Sequence, residues 1–272
     1  MFSDTSSIDP AVASLLSFWA DAGVDVSLDD APVDRLVEGR RRLEAPAQRA
    51  VATVAPHLVR SNGAAPVSSG VEAARVLAAG ADSLEALAEA IASFDGCPLK
   101  GMGARQSVFA RGRPDAGVML IGEGPGADED LQGLPFVGKA GKLLDRMLAA
   151  AGLADQVFIT NTVFWRPPGN RTPSLEEQAA CAPFVEQAIS LVDPDYLLLL
   201  GGAAAKSMLG RPEGILTLRG RWNEWTGADG KPRLALPTLH PAFLLRQPVA
   251  KKQAWADLVA LTSRLERDDR KL

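Results

Sequence analysis

Cysteine is nearly absent from this 272-residue chain, which holds only Cys97 and Cys181. Two thiols make no disulfide framework, and so few of them fit a reducing cytosol. Long apolar runs are missing as well. No window carries the roughly eighteen consecutive apolar residues of a membrane span. The first ten residues, MFSDTSSIDP, lack the basic-then-apolar order of a secretory signal. A cytoplasmic location with no membrane partner is therefore expected. Positive charge is also in short supply: the net charge is −4, which argues weakly against a nucleic-acid partner. The distribution softens that argument. Residues 1–95 carry 7 Lys/Arg against 14 Asp/Glu, whereas 96–272 carry 22 against 19. Contact with a polyanion belongs to the second segment, through local basic groups rather than an overall field.

What is present is apolar material, 47% of the residues, enough for one good-sized core or a core with a small appendage. Residues 9–24 read as a short helix, with Asp9 as cap, Pro10 in the first turn, and Leu15, Leu16, Phe18 and Trp19 as its apolar side. Residues 33–53 read as a second helix containing the run Arg40, Arg41, Arg42. SNGAAPVSSG (61–70) reads as a linker, and 71–93 as an Ala-rich helix. Beyond it the texture changes. VMLIG (118–122), VFITN (157–161), YLLLLGG (196–202) and LALPTLH (234–240) read as strands, Pro237 counting against regularity in the last. Helical patterns occupy 138–151, 174–191, 203–209 and 251–267, and 221–236 reads as a hairpin turning at Asp229-Gly230. Strands alternating with helices imply a parallel sheet covered on both faces. The expected organisation is a helical N-terminal extension (1–60), a linker with the Ala-rich helix (61–95), and a main domain (96–272).

Ligands of open parallel sheets bind beyond the carboxyl ends of the strands. The segments found there are GEGPG (122–126), Thr160-Asn161 followed by RPPGNR (166–171), Gly201-Gly202 opening a helix, and HPAFLLR (240–246). A carboxylate, an amide, backbone donors and an imidazole would converge on one rim, as in an active site. Each piece alone has a plainer reading: GEGPG as a tight turn, Glu123 as a solvated carboxylate, Asn161 as a strand cap, His240 as a structural histidine. GGAAAKS (201–207) lacks the G-x-x-x-x-G-K-S/T spacing, which excludes a nucleoside-triphosphate loop. His240 is less easily set aside, because Pro241 fixes the backbone that aims its ring.

The combination is more specific than its parts. GEGPGADEDLQGLPFVGKAGKLLDRML (122–148), TNTVFWRPPGNRTP (160–173) and HPAFLLRQP (240–248) closely resemble the family 4 uracil-DNA glycosylases, in order, over roughly 96–262. Residues 1–90 show no such likeness. The resemblance implies a three-layer α/β/α sandwich around a four-stranded parallel sheet, with the helical N-terminal extension added. It also implies excision of uracil from DNA in base excision repair, at the nucleoid, by a monomer. Gly122 and its loop would wall the uracil pocket. Glu123 would stand at the motif carboxylate, Phe136 would stack on the flipped base, and Asn161 would read its edge. His240 would donate to uracil O2. Arg246 would grip phosphate, and Arg166, Arg171, Gly202 and Lys206 complete the expected DNA contacts. The catalytic set is Glu123, Asn161 and His240.

One departure bears on a cofactor. The family holds a four-iron cluster on four cysteines, and two of the matching positions here are Lys100 and Trp165, leaving Cys97 and Cys181. A cubane cluster needs four ligands, usually all Cys. No iron–sulfur cluster or other metal is expected, and Trp165 is expected to fill the space. Two alternatives stay beside the enzyme reading. One is a module that keeps the pocket and binds uracil or damaged DNA without turnover. The other is a glycosylase shifted to hypoxanthine or mismatched thymine, which the presence of Asn161 disfavours. Covalent capture of the abasic sugar by a histidine is disfavoured too, since 127–172 contain none. The acidic first segment is expected to pack on the catalytic domain or hold a protein partner through its first helix, or to form a mobile tail.

Overall fold

The computed structural model describes residues 67–269. The helices expected at 9–24 and 33–53, and most of the linker, lie outside them. In chain order the elements begin with α1 (Val67–Ala79), α2 (Leu84–Ser93), β1 (Ala110–Gly112), β2 (Val118–Gly122), α3 (Ala127–Gln132), α4 (Lys139–Ala150), β3 (Val157–Asn161) and α5 (Leu175–Val192). They continue with β4 (Tyr196–Leu200), α6 (Gly202–Leu209), α7 (Ile215–Leu218), β5 (Asn223–Thr226), β6 (Pro232–Thr238), α8 (Pro241–Arg246) and α9 (Lys251–Asp269).

The strands form one sheet in the order β1-β3-β2-β4-β6-β5. The inner four, β3, β2, β4 and β6, are parallel, as the apolar runs imply. Two antiparallel strands flank them as the sheet edges: β1, which pairs with β3, and β5, which pairs with β6 as the hairpin expected at 221–236. Every residue of β2, β3 and β4 is buried, because helices cover both faces. Period-two alternation divides their side chains between two layers. Met119 and Ile121 join a cluster with α1, α2 and α5, whereas Val118 and Leu120 join one with α4 and α9.

Three local readings change. The last residues of the expected linker already belong to α1. The Ala-rich stretch is two helices, because the chain turns at Gly80 and Ser83 caps the second, its Oγ accepting from Ala86 N–H at 3.1 Å. Pro237 is tolerated inside β6. Its carbonyl accepts from Gly220 N–H at 3.0 Å, on the side where β5 has already ended, so its missing N–H breaks no ladder bond. Among the described residues, no helix is long and apolar enough to cross a membrane.

Candidate active site

The carboxyl ends of β2, β3 and β6 open into one cavity of about 480 Å³. Glu123, Phe136, Asn161, Arg171, His240 and Arg246 all line it. Six of the residues singled out in the sequence are thus brought together. Gly122 does not line the cavity itself but adjoins two residues that do, for a steric reason. A Cβ there would stand 2.4 Å from Asn161 Oδ1 and 2.5 Å from the Phe136 ring, so only glycine lets the two side chains meet. Arg166, Gly202 and Lys206 do not line the cavity. Arg166 donates to Asn170 Oδ1 at 2.7 Å, which leaves it beside the rim.

Asn161 ends β3 and is almost wholly buried. Its Oδ1 has no hydrogen-bond partner among the described residues. A buried, unsatisfied acceptor is costly and calls for a partner. The N–H and O–H of neighbouring Thr162 donate to the carbonyls of Gly122 and Glu123 at 2.9 and 2.7 Å, continuing the β2–β3 pairing past the strand ends. This anchors the main chain that presents Glu123 and Asn161.

His240 is the N-cap of α8, and its Nδ1 accepts from Ala242 N–H at 3.1 Å. That bond fixes the ring: Nδ1 carries no proton, so the neutral imidazole carries it on Nε2. Desolvation, helped by the nearby Arg246 charge, lowers the pKa from 6.5 to about 4. The ring is therefore a neutral donor at physiological pH. Its segment is held from below: Thr238 Oγ1 donates to buried Asp257 at 2.6 Å, and Arg219 donates to the same carboxylate at 2.6 Å. Leu239 and Leu244 pack with Leu143 of α4 and Ala254 of α9.

Phe136 faces His240, with ring centroids 5.7 Å apart and planes inclined by 33°. The loop that carries it is tied to GEGPG by Glu129, which sequence reasoning missed. The Glu129 carboxylate accepts from Gly126, Val137 and Gly138 N–H at 3.1, 3.0 and 2.9 Å. The three-residue spacing from cap to glutamate was there to be read, but glycine at the cap hides the usual Ser/Thr signal. Arg171 lines the cavity and also has a partner of its own. Its guanidinium donates to both oxygens of buried Glu177, at 2.8 and 2.5 Å, and the pairing holds that carboxyl below its usual range. Glu177 also completes the cap of α5 with Ser174. The fork of Arg171 is committed to ordering this loop.

The four positions that carry a cluster in the resembling family do not fit one here. Cys97 and Cys181 are buried with their sulfurs 3.8 Å apart. Burial pushes the Cys181 thiol well up, further raised by its hydrogen bond to Cys97. Lys100 turns away, donating to Ala92 O and pairing with Asp95, both at 2.7 Å. Trp165, 1% exposed, occupies the interior, with Phe94 and Phe164 rings at 6.5 and 6.3 Å. Two thiols, an outward ammonium and an indole cannot ligate four irons. Among the described residues, no group of three or more His, Cys, Asp or Glu is arranged to hold a metal ion.

Comparison with known proteins agrees with this geometry. The family model described as the uracil DNA glycosylase superfamily matches residues 109–259. The type-4 uracil-DNA glycosylase of Thermotoga maritima is 38% identical over 165 residues, covering 60% of this chain and 83% of its own length. That of Pyrobaculum aerophilum is 39% identical over 180 residues, covering 64% and 91%. That of Sulfurisphaera tokodaii is 38% identical over 177 residues, covering 63% and 80%. With its parallel sheet, its rim of strand-end residues and these relatives, the chain belongs to the uracil-DNA glycosylase superfamily, on the type-4 branch.

Proposed function

We propose that this protein is a monofunctional uracil-DNA glycosylase, which flips deoxyuridine out of DNA and hydrolyses its N-glycosidic bond. One observation carries the reading: a single cavity pairs an unsatisfied acceptor, Asn161 Oδ1, with a neutral donor, His240 Nε2–H. Uracil offers the complement. Its N3–H meets the amide oxygen, its O4 meets the amide N–H₂, and its O2 meets the imidazole. Cytosine presents the reverse pattern at N3 and C4 and leaves buried groups unpaired, which rejects it strongly. Thymine differs by its 5-methyl group and is excluded sterically by the wall from 124–130.

The base must first leave the duplex, at a cost of roughly a few kcal/mol. Stacking on Phe136 offsets about 1–3 kcal/mol of this. As the glycosidic bond breaks, the sugar gains positive charge and the uracil gains negative charge. The His240 donor then strengthens as charge builds on O2. Glu123 orients the water that attacks C1′, and its charge offsets the cationic sugar. No lysine of the matched motifs is placed for Schiff-base chemistry, so the product is an intact abasic site. Arg246 grips a flanking phosphate, with Arg166, Gly202 and Lys206 further out. The reaction needs no iron–sulfur cluster in this chain, because none of Glu123, Phe136, Asn161 or His240 is a cluster position.

The test is excision from a labelled oligonucleotide bearing one uracil, followed by alkaline cleavage of abasic sites. Wild-type protein should cut while free of iron by elemental analysis. Asn161→Ala and His240→Ala should each lower the single-turnover rate by about 10²–10³-fold. Failure of the wild type on U·G, U·A and single strands would overturn the enzymatic reading in favour of a binding module.

A further inference from the structure

We propose that Arg111 is a positioning residue for excision. Its guanidinium, braced by Asp145, holds the Phe136 main chain in the conformation that lays the ring against the base pocket. The inference rests on the reading of Phe136 as the stacking ring.

Phe136 has φ +56°, in the left-handed region that a bulky residue adopts only when its surroundings demand it. The demand is visible on the carbonyl side. Arg111 projects from the edge strand β1 and donates Nε to Pro135 O at 2.9 Å and Nη2 to Phe136 O at 3.3 Å. The same Nη2 meets Asp145 Oδ1 of α4 at 2.5 Å. The Phe136 carbonyl also sits in a notch on α4. A Cβ at Gly141 would fall 1.7 Å from its oxygen, so the helix admits this carbonyl only because residue 141 has no side chain. The amide side is held separately, Glu129 taking the N–H groups of Val137 and Gly138. The segment 135–138 is thus gripped from both sides, carbonyls by Arg111 and amides by Glu129. With the backbone fixed, the ring has a fixed place beside Gly122 and His240. Arg111 itself does not line the cavity, so any influence on excision must pass through Phe136.

A fork that reaches two successive carbonyls and a carboxylate is a geometry lysine cannot reproduce. This gives a test that separates positioning from general stability. Single-turnover excision at saturating uracil-DNA should be measured for wild type, Arg111→Gln, Arg111→Lys, Phe136→Ala and the double variant Arg111→Gln/Phe136→Ala. DNA affinity and thermal melting are recorded alongside. Arg111→Gln should slow excision by about tenfold with little change in DNA affinity, and the same change made on Phe136→Ala should cost less than about twofold. Arg111→Lys should recover little of the rate while melting like wild type. Equal losses in both backgrounds, or no loss in either, would overturn the proposal while leaving Phe136 as the stacking ring. A Phe136→Ala variant as fast as wild type would overturn both. If Arg111→Gln fails to fold, Asp145→Asn, which loosens only the half-exposed brace, takes its place with a smaller loss expected and the same dependence on Phe136.

Discussion

At the residue scale, His240 has the two properties that its proposed role requires: an N–H free to donate, and no charge. The Ala242 N–H bond to Nδ1 chooses the tautomer, and desolvation removes the second proton. Since the folded pKa of about 4 lies below the ordinary 6.5, the unfolded chain takes up the proton first as pH falls. The stability from the neutral ring is therefore complete above about 6.5, declines below it, and is lost by about 4. Ring ¹⁵N NMR should show His240 neutral through pH 5, with a midpoint near 4. A midpoint at 6.5 or higher would contradict the buried-donor account. Residues of this kind were legible in the sequence because each lies at the carboxyl end of a strand: Glu123 just after β2, Asn161 closing β3, His240 two residues past β6. Glu129 and Arg111 were not: glycine at the cap masks the signal for the first, and the partners of the second lie far along the chain and meet it only in the fold. The ion pair of Arg171 was hidden for a related reason. Its partner Glu177 lies six residues on, across a turn and a helix cap, where no periodicity points.

At the element scale, the parallel core was readable from four apolar runs, while β1 was not. Three residues, Ala-Arg-Gly, give no alternation to detect, and their strand exists only through its pairing with β3. The edge strand nonetheless supplies Arg111. A second element-scale feature is the aromatic packing where the family carries cysteines. Trp165 joins the segment after β3 to the residues around Phe94 and to α5 through Phe94, Phe164 and Phe184. Removing it should leave a large void. Trp165→Ala is expected to cost about 3–5 kcal/mol, read from urea unfolding monitored by circular dichroism. A cost below 1 kcal/mol would mean that the indole is not what holds these elements together.

At the scale of the whole molecule, DNA is engaged without a strong field. The chain is net acidic, and its second segment exceeds neutrality by only a few charges. On the proposed reading, affinity depends on a few local contacts at the mouth, of which Arg246 is the one lining the cavity with its charge uncommitted to any ion pair named above. Each neutralised phosphate contributes about −0.9 to the slope of log affinity against log salt on duplex DNA. Arg246→Ala should make that slope shallower by about 1 unit, with similar weakening on every sequence tested. An unchanged slope would move the phosphate grip elsewhere on the rim. The interior built around Trp165 has a wider consequence. On the proposed cluster-free reading, the protein would mature as soon as its chain is synthesised, with no metallocentre to be inserted. Its supply in a cell would then be uncoupled from iron availability.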